Sequence, residues 1–280
     1  MDPSSFLPIL SGMLGGATSA GLFKGPIQTV EDWWYINFGH STNEKAEMLR
    51  AKQEANIEAY KTSLLKETSK IDPNHLKEPE LKILGPALEA SKYYIEDEPL
   101  RIMFAKLIAS SMDSSKEDIV HSSYVEIIKQ LTPLDAENLL SIHKTGDESI
   151  ICSLKINYST GGYKIKYSNL YLGNQNTTKQ SLISPSLDNL DRLGLCDITY
   201  QEKKVQEGIY DIFQQTDEYK LLSQEIQRLN NEYDNIRHVA ATNPHANINT
   251  DGIPFLSGPE IQEGLIKITP FGKNFCATCL

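Results

Sequence analysis

From Pro3 to Phe23 the chain has no charged side chain, and elsewhere it is poor in the features that mark several common protein classes. Lysine and arginine number 27 against 37 acidic residues, a formal charge of −10. That balance lacks the clustered cations by which nucleic acid is held through its phosphates, and disfavours DNA as a partner. Four cysteines in 280 residues are too few for a disulfide framework. No basic flank followed by a long apolar core marks a secretory signal, so the cytoplasm is the expected compartment. Motifs for phosphate loops, dinucleotide folds, zinc proteases and serine hydrolases are missing. The histidines, at 40, 75, 121, 143, 238 and 245, share no ligand spacing. No catalytic residue, cofactor site or metal site is therefore expected.

Within the uncharged leader, Gly12, Gly16 and Ala20 recur every fourth residue. On a helix they would stack on one face and let another backbone approach closely. A helix of about twenty residues would also span roughly 30 Å, the thickness of a bilayer core. Trp33, Trp34 and Tyr35 follow, and such rings suit a membrane–water boundary or a protein interface. Pro3, Pro8 and several Gly, Ser and Thr make the stretch only marginally apolar. Packing against its own domain or a sister chain, conditional membrane contact, and disorder all remain open readings. Gly12, Gly16, Ala20, Trp33, Trp34 and Tyr35 are the candidates for membrane contact or self-association.

Asn43 to Lys70 is rich in Ala, Glu, Lys and Leu with a stripe of Ile57, Tyr60 and Leu64, which predicts a long, largely solvated helix. A linker broken by Pro73 and Pro79 leads to short helices opened by Gly85-Pro86, Glu98-Pro99, Ser123 with Glu126, and Thr132-Pro133 with Asp135. Leu100, Met103, Phe104, Leu107 and Ile108 supply a broad apolar face, so this region reads as a helical bundle.

After Gly146 the pattern changes. Ile150 to Tyr158 and Tyr163 to Tyr167, joined by Ser-Thr-Gly-Gly, predict a β-hairpin. Ser184-Pro185 opens a helix stopped at Gly194; Cys196 to Tyr200 and Leu265 to Thr269 read as strands, and Thr269-Pro270 caps a last helix. This order resembles a winged-helix domain. Its groove-facing helix would carry Asp188 and Asp191 against the single Arg192, a poor face for phosphates. The wing is interrupted from about 201 to 263, an unusual length for a connection. There Tyr219, Leu222, Ile226, Leu229, Tyr233 and Ile236 alternate three and four apart, a heptad stripe that needs a partner. Self-association is the favoured reading, with the protein's own helical domain as the other. Phe271, Phe275 and Cys279 share a helical face, so Cys276 and Cys279 are expected as buried thiols.

Several groups within this chain closely resemble the Abi-alpha family of bacterial abortive-infection proteins. They include Gly85-Pro86-Ala87, Glu89-Ala90-Ser91, Tyr93-Tyr94, Leu100-Arg101, Phe104-Ala105, Leu107-Ile108 and Ser110-Ser111-Met112-Asp113. Val120-His121, Tyr124 to Ile128 and Leu134-Asp135 continue the likeness, and Asp32-Trp33-Trp34 matches upstream. The likeness is strong from Glu31 to Thr145 and looser beyond. It implies defence against bacteriophage, in which an infected cell stops growing or dies. Most shared residues read as structure, with Tyr93, Tyr94, Phe104 and Leu107 filling a core. Glu89, Arg101, Asp113 and Glu126 are the candidate functional polar residues, through buried ion pairs or a partner.

The expected fold class is mainly α with a smaller α+β part: a helical bundle followed by a winged-helix-like domain whose wing is extended by a coiled-coil-like insertion. The expected domains are 1–42, 43–145 and 146–280. Function is expected to be antiviral defence without catalysis, through oligomerisation and contact of the leader with the inner membrane. A second copy and a phage-derived trigger are the expected partners. A nucleic-acid-binding regulator, and an enzyme built on the acidic residues, are the alternatives.

Overall fold

The computed structural model describes residues 44–243, 250 and 252–280, with side chains from Ala55 onward. The leader candidates Gly12, Gly16, Ala20, Trp33, Trp34 and Tyr35 lie outside the described residues. Eight α-helices, three short 3-10 helices and one four-stranded antiparallel sheet make up the described elements. They fall into two compact units: residues up to Leu140 with Pro270–Leu280, and Ser141–Thr269. The closing helix, grouped by sequence order with the second domain, belongs to the first unit instead.

The first unit contains α1 (Glu44–Thr68), α2 (Leu81–Tyr94), α3 (Glu98–Ser111), α4 (Ser123–Ile128), most of α5 (Pro133–Lys144) and α8 (Pro270–Cys279). Helix α3 is the hub, burying Leu100, Met103, Phe104, Leu107 and Ile108 as its apolar spacing predicts. Tyr60 and Leu64 of α1 are also buried, so the second half of that helix is less solvated than its charge pattern suggests. Phe275 of α8 meets the ring of Tyr124 edge-on at 5.2 Å. Tyr94 is half-buried, its hydroxyl donating to the Lys129 carbonyl at 2.7 Å. Tyr93, expected in the core, is 72% exposed instead, with Lys92 Nζ 5.0 Å from its ring centre.

Capping follows the sequence closely at α5. Thr132 N–H donates to Asp135 Oδ2 at 2.7 Å, and Asp135 N–H donates to Thr132 Oγ1 at 3.2 Å. Two other helices start earlier than their prolines indicate: α2 at Leu81 rather than Gly85, and α6 (Gln180–Arg192) at Gln180 rather than Ser184. Pro86 and Pro185 therefore lie inside their helices, and both are exposed. The carbonyls four residues back belong to exposed Lys82 and Ser181, where water can replace the lost N–H.

In the second unit the strands β1 (Glu148–Asn157), β2 (Tyr163–Leu170), β3 (Cys196–Thr199) and β4 (Glu260–Ile268) lie in the order β2-β1-β4-β3. The predicted hairpin is β1–β2, with Asn157 opposite Tyr163. The predicted wing pair is β3–β4, with Cys196 opposite Ile268. What the pattern does not announce is that β4 also pairs with β1, from Glu148↔Lys267 to Lys155↔Glu260, which fuses the hairpin and the β3–β4 pair into one sheet. Helix α6 ends as predicted at Gly194 (φ +70°): Leu195 N–H reaches the Leu190 carbonyl and Gly194 N–H the Asp191 carbonyl.

The heptad stripe lies on α7 (Asp217–Thr242) and does not stand free. Leu222 and Ile226 are buried in a core with Cys152, Leu154, Ile156 and Leu170 of the sheet, and Tyr219, Leu229 and Tyr233 pack beside them. Ile236 is half-buried farther along. Neither reading from the sequence named this partner: the stripe covers the sheet of its own unit. Tyr210 and Phe213, just ahead of α7, complete that core with stacked rings 6.3 Å apart. Leu222→Ala should therefore lower stability by about 2–5 kcal/mol in denaturant unfolding. Dissociation of an oligomer with little loss of fold would instead return the stripe to an intermolecular seam.

A lysine-lined cavity as candidate functional site

The last turn of α1, the second half of α3 and the chain after it, and the end of α8 line an open-sided cavity of about 330 Å³ within the first unit. Its polar lining includes Glu67, Lys70, Lys106, Ser110, Asp113 and Lys116. Three lysines and two acidic side chains line it, in a chain whose overall balance is acidic.

Most of these groups are already occupied. Lys70 Nζ pairs with Glu67 at 2.6 Å. Lys116 Nζ donates to the Ala277 carbonyl at 3.0 Å and to Ser110 Oγ at 3.3 Å, while Ser110 Oγ donates to the Thr278 carbonyl. Asp113 caps the short turn Ser114–Lys116, its Oδ1 accepting from Ser115 N–H and Oγ at 2.9 and 2.6 Å. Lys106 differs. It is half-buried, and among the described residues its ammonium makes no hydrogen bond or ion pair. Burial holds its pKa below the ordinary lysine value, Lys70 and Lys116 push the same way, and Glu67 opposes them. Lys106 also lines a neighbouring apolar groove of about 350 Å³ with Pro99, Ile102, Met103, Ala136 and Leu140.

The polar residues singled out from the sequence are not gathered here. Of Glu89, Arg101, Asp113 and Glu126 only Asp113 lines the cavity, and none bonds to another. Glu89 and Glu126 are exposed, paired with Lys92 and Lys129 one helical turn away, an arrangement worth little. They are not buried ion pairs. Arg101 Nη1 donates to the Ile95 carbonyl at 3.0 Å, while its buried Nε has no partner. The lysines were missed because they stand far apart in the chain. One signal was legible: Lys106 is the single charge in the run Ile102 to Ser111.

All four cysteines are buried. Burial pushes the Cys279 thiol up to about 12 and raises Cys152 as well, so these groups stay protonated and inert at neutral pH. On α6, Asp188 accepts from Asn169 Nδ2 at 2.6 Å, and Asp191 accepts from Ile198 N–H at 3.1 Å. Both carboxylates have structural work, which explains their place on that helix. Among the described residues no group of three or more His, Cys, Asp or Glu converges as for a metal, and no helix is long and apolar enough to cross a membrane.

A half-buried ammonium facing two others costs free energy that an apolar side chain would not. Lys106→Met is therefore expected to raise the thermal midpoint by roughly 2–4 °C, as relief of an unpaired charge does. A fall of that size in thermal denaturation would show that Lys106 stabilises the fold.

No curated protein and no solved structure gives a significant match to this chain. The model of the family described as abortive infection alpha matches residues 52–279. That range includes the second unit and α8, which the sequence likeness covered only loosely, and leaves out Asp32-Trp33-Trp34. With most of its length matched, the chain belongs to the abortive infection alpha family.

Proposed function

We propose that this protein acts in defence against bacteriophage without catalysing a reaction, through self-association and contact of its leader with the inner membrane. Family membership supports the defence role, since abortive infection sacrifices the infected cell. The single observation behind the mechanism is the uncharged stretch Pro3–Phe23 with Gly12, Gly16 and Ala20 in register. Small residues at that spacing permit close backbone contact, in lipid or between copies. The leader lies ahead of the family match, which begins at residue 52. In this reading the matched body restrains the leader, and a phage-derived signal releases it from a cytoplasmic or peripheral state.

The second unit, read as a winged-helix-like module with a long helical insertion, serves protein contacts in this scheme. Its α6 gives DNA little to bind: Arg192 is held by Asn189 at 2.7 Å, and Asp188 and Asp191 lie on the same helix as the single Arg192.

Removal of residues 1–23 tests the mechanism. The truncated protein should stay folded, lose protection in a plaque assay and fail to enter the membrane fraction of infected cells. Undiminished protection by the truncated form would end this reading.

A further inference from the structure

Three lysines line the cavity of the first unit, and among the described residues one of them makes no ion pair or hydrogen bond, with Glu67 acting on it only at longer range. Lys70 pairs with Glu67 and Lys116 is tied to backbone and hydroxyl oxygens, which leaves Lys106 half-buried and, among the described residues, without an ion pair. The carboxylates do not supply the missing charge: Glu67 is engaged by Lys70, and Asp113 holds its turn through Ser115. A half-buried ammonium that makes no ion pair carries a desolvation cost, which an anionic ligand in the cavity would offset.

We propose that this cavity binds a phosphate dianion, free or carried by a small organic molecule, with Lys106 as the principal counterion and Lys70 and Lys116 beside it. Phosphate matches the chemistry because lysine is a point-charge donor to its oxygens, and the Lys106 ammonium has donors that no group among the described residues takes up. Size favours an ester over free phosphate. At about 330 Å³ the space lies at the lower end of organic-ligand pockets and exceeds what one phosphate fills. The apolar groove that shares Lys106 offers a place for the organic part, along Ile102, Met103 and Ala136. The site is argued from residues 67–280 alone, so it stands whether or not the leader acts on a membrane.

The test uses the full chain and calorimetric titration with inorganic phosphate, ribose 5-phosphate and adenosine 5′-monophosphate, each at matched ionic strength against chloride. At least one probe should bind one-to-one and saturably. At a concentration 100-fold above its Kd it should raise the thermal midpoint by roughly 5–10 °C. Lys106→Met should weaken that binding at least about tenfold while the variant melts no lower than the parent. Lys70→Ala alters an exposed residue and should weaken it about threefold, serving as the deciding variant if Lys106→Met does not fold. Esters binding more tightly than inorganic phosphate would identify an organic phosphate as the ligand; equal affinity would identify free phosphate. Absence of binding by all three probes overturns the proposal, and so does binding that neither variant weakens.

Discussion

Strand β4 is hydrogen-bonded along both edges, to β1 from Glu148 to Lys155 and to β3 from Cys196 to Thr199, and the second unit follows from that double pairing. The partners stand about a hundred residues apart from β4 on one side and sixty on the other, so their closure costs chain entropy that only cooperative packing returns. The close fit is visible at Gly264, opposite Ile151. A Cβ there would meet the Tyr200 ring at 2.6 Å and the Thr199 carbonyl at 2.8 Å. The Tyr200 hydroxyl in turn accepts from Ser153 Oγ and donates to Asn169 Oδ1, joining β1, β2 and the residue after β3 in one part-buried network. With β4 central, the sheet face over β1 and β2 needs a cover, and α7 supplies it.

The first unit is organised differently. Its core is apolar and built around α3, while its polar chemistry is gathered where α3 ends, beside the last turn of α1 and the tail of α8. Three lysines near one another in an acidic protein are a local reversal of the overall field. The ion pair and hydrogen bonds around the cavity use Lys70, Lys116, Glu67, Asp113 and Ser110, and among the described residues none includes Lys106. Stability and ligand binding pull in opposite directions at that residue, as at many binding sites.

Much of the architecture was legible from local chemistry. Helix starts and stops were readable where a side chain or a glycine settles the terminus on its own, as at Thr132 with Asp135 and at Gly194. The hairpin and the β3–β4 pair were readable from alternation and turns. Pro86 and Pro185 misled because a proline on the wet face of a helix is tolerated beyond the first turn. Tyr93 misled because the family likeness that includes it says nothing of which way it points.

Sequence alone determined the element types, the apolar face of α3, the need of the α7 stripe for a partner, the burial of the terminal thiols and the uncharged character of the leader. These depend on residues within a few turns of one another, where spacing already specifies a face. Tertiary structure alone decided that the stripe covers its own sheet, that α8 joins the first unit, and that Lys70, Lys106 and Lys116 share a cavity. Those outcomes depend on which distant surfaces meet, and an isolated lysine in a helix carries no mark of the charges the fold will set beside it.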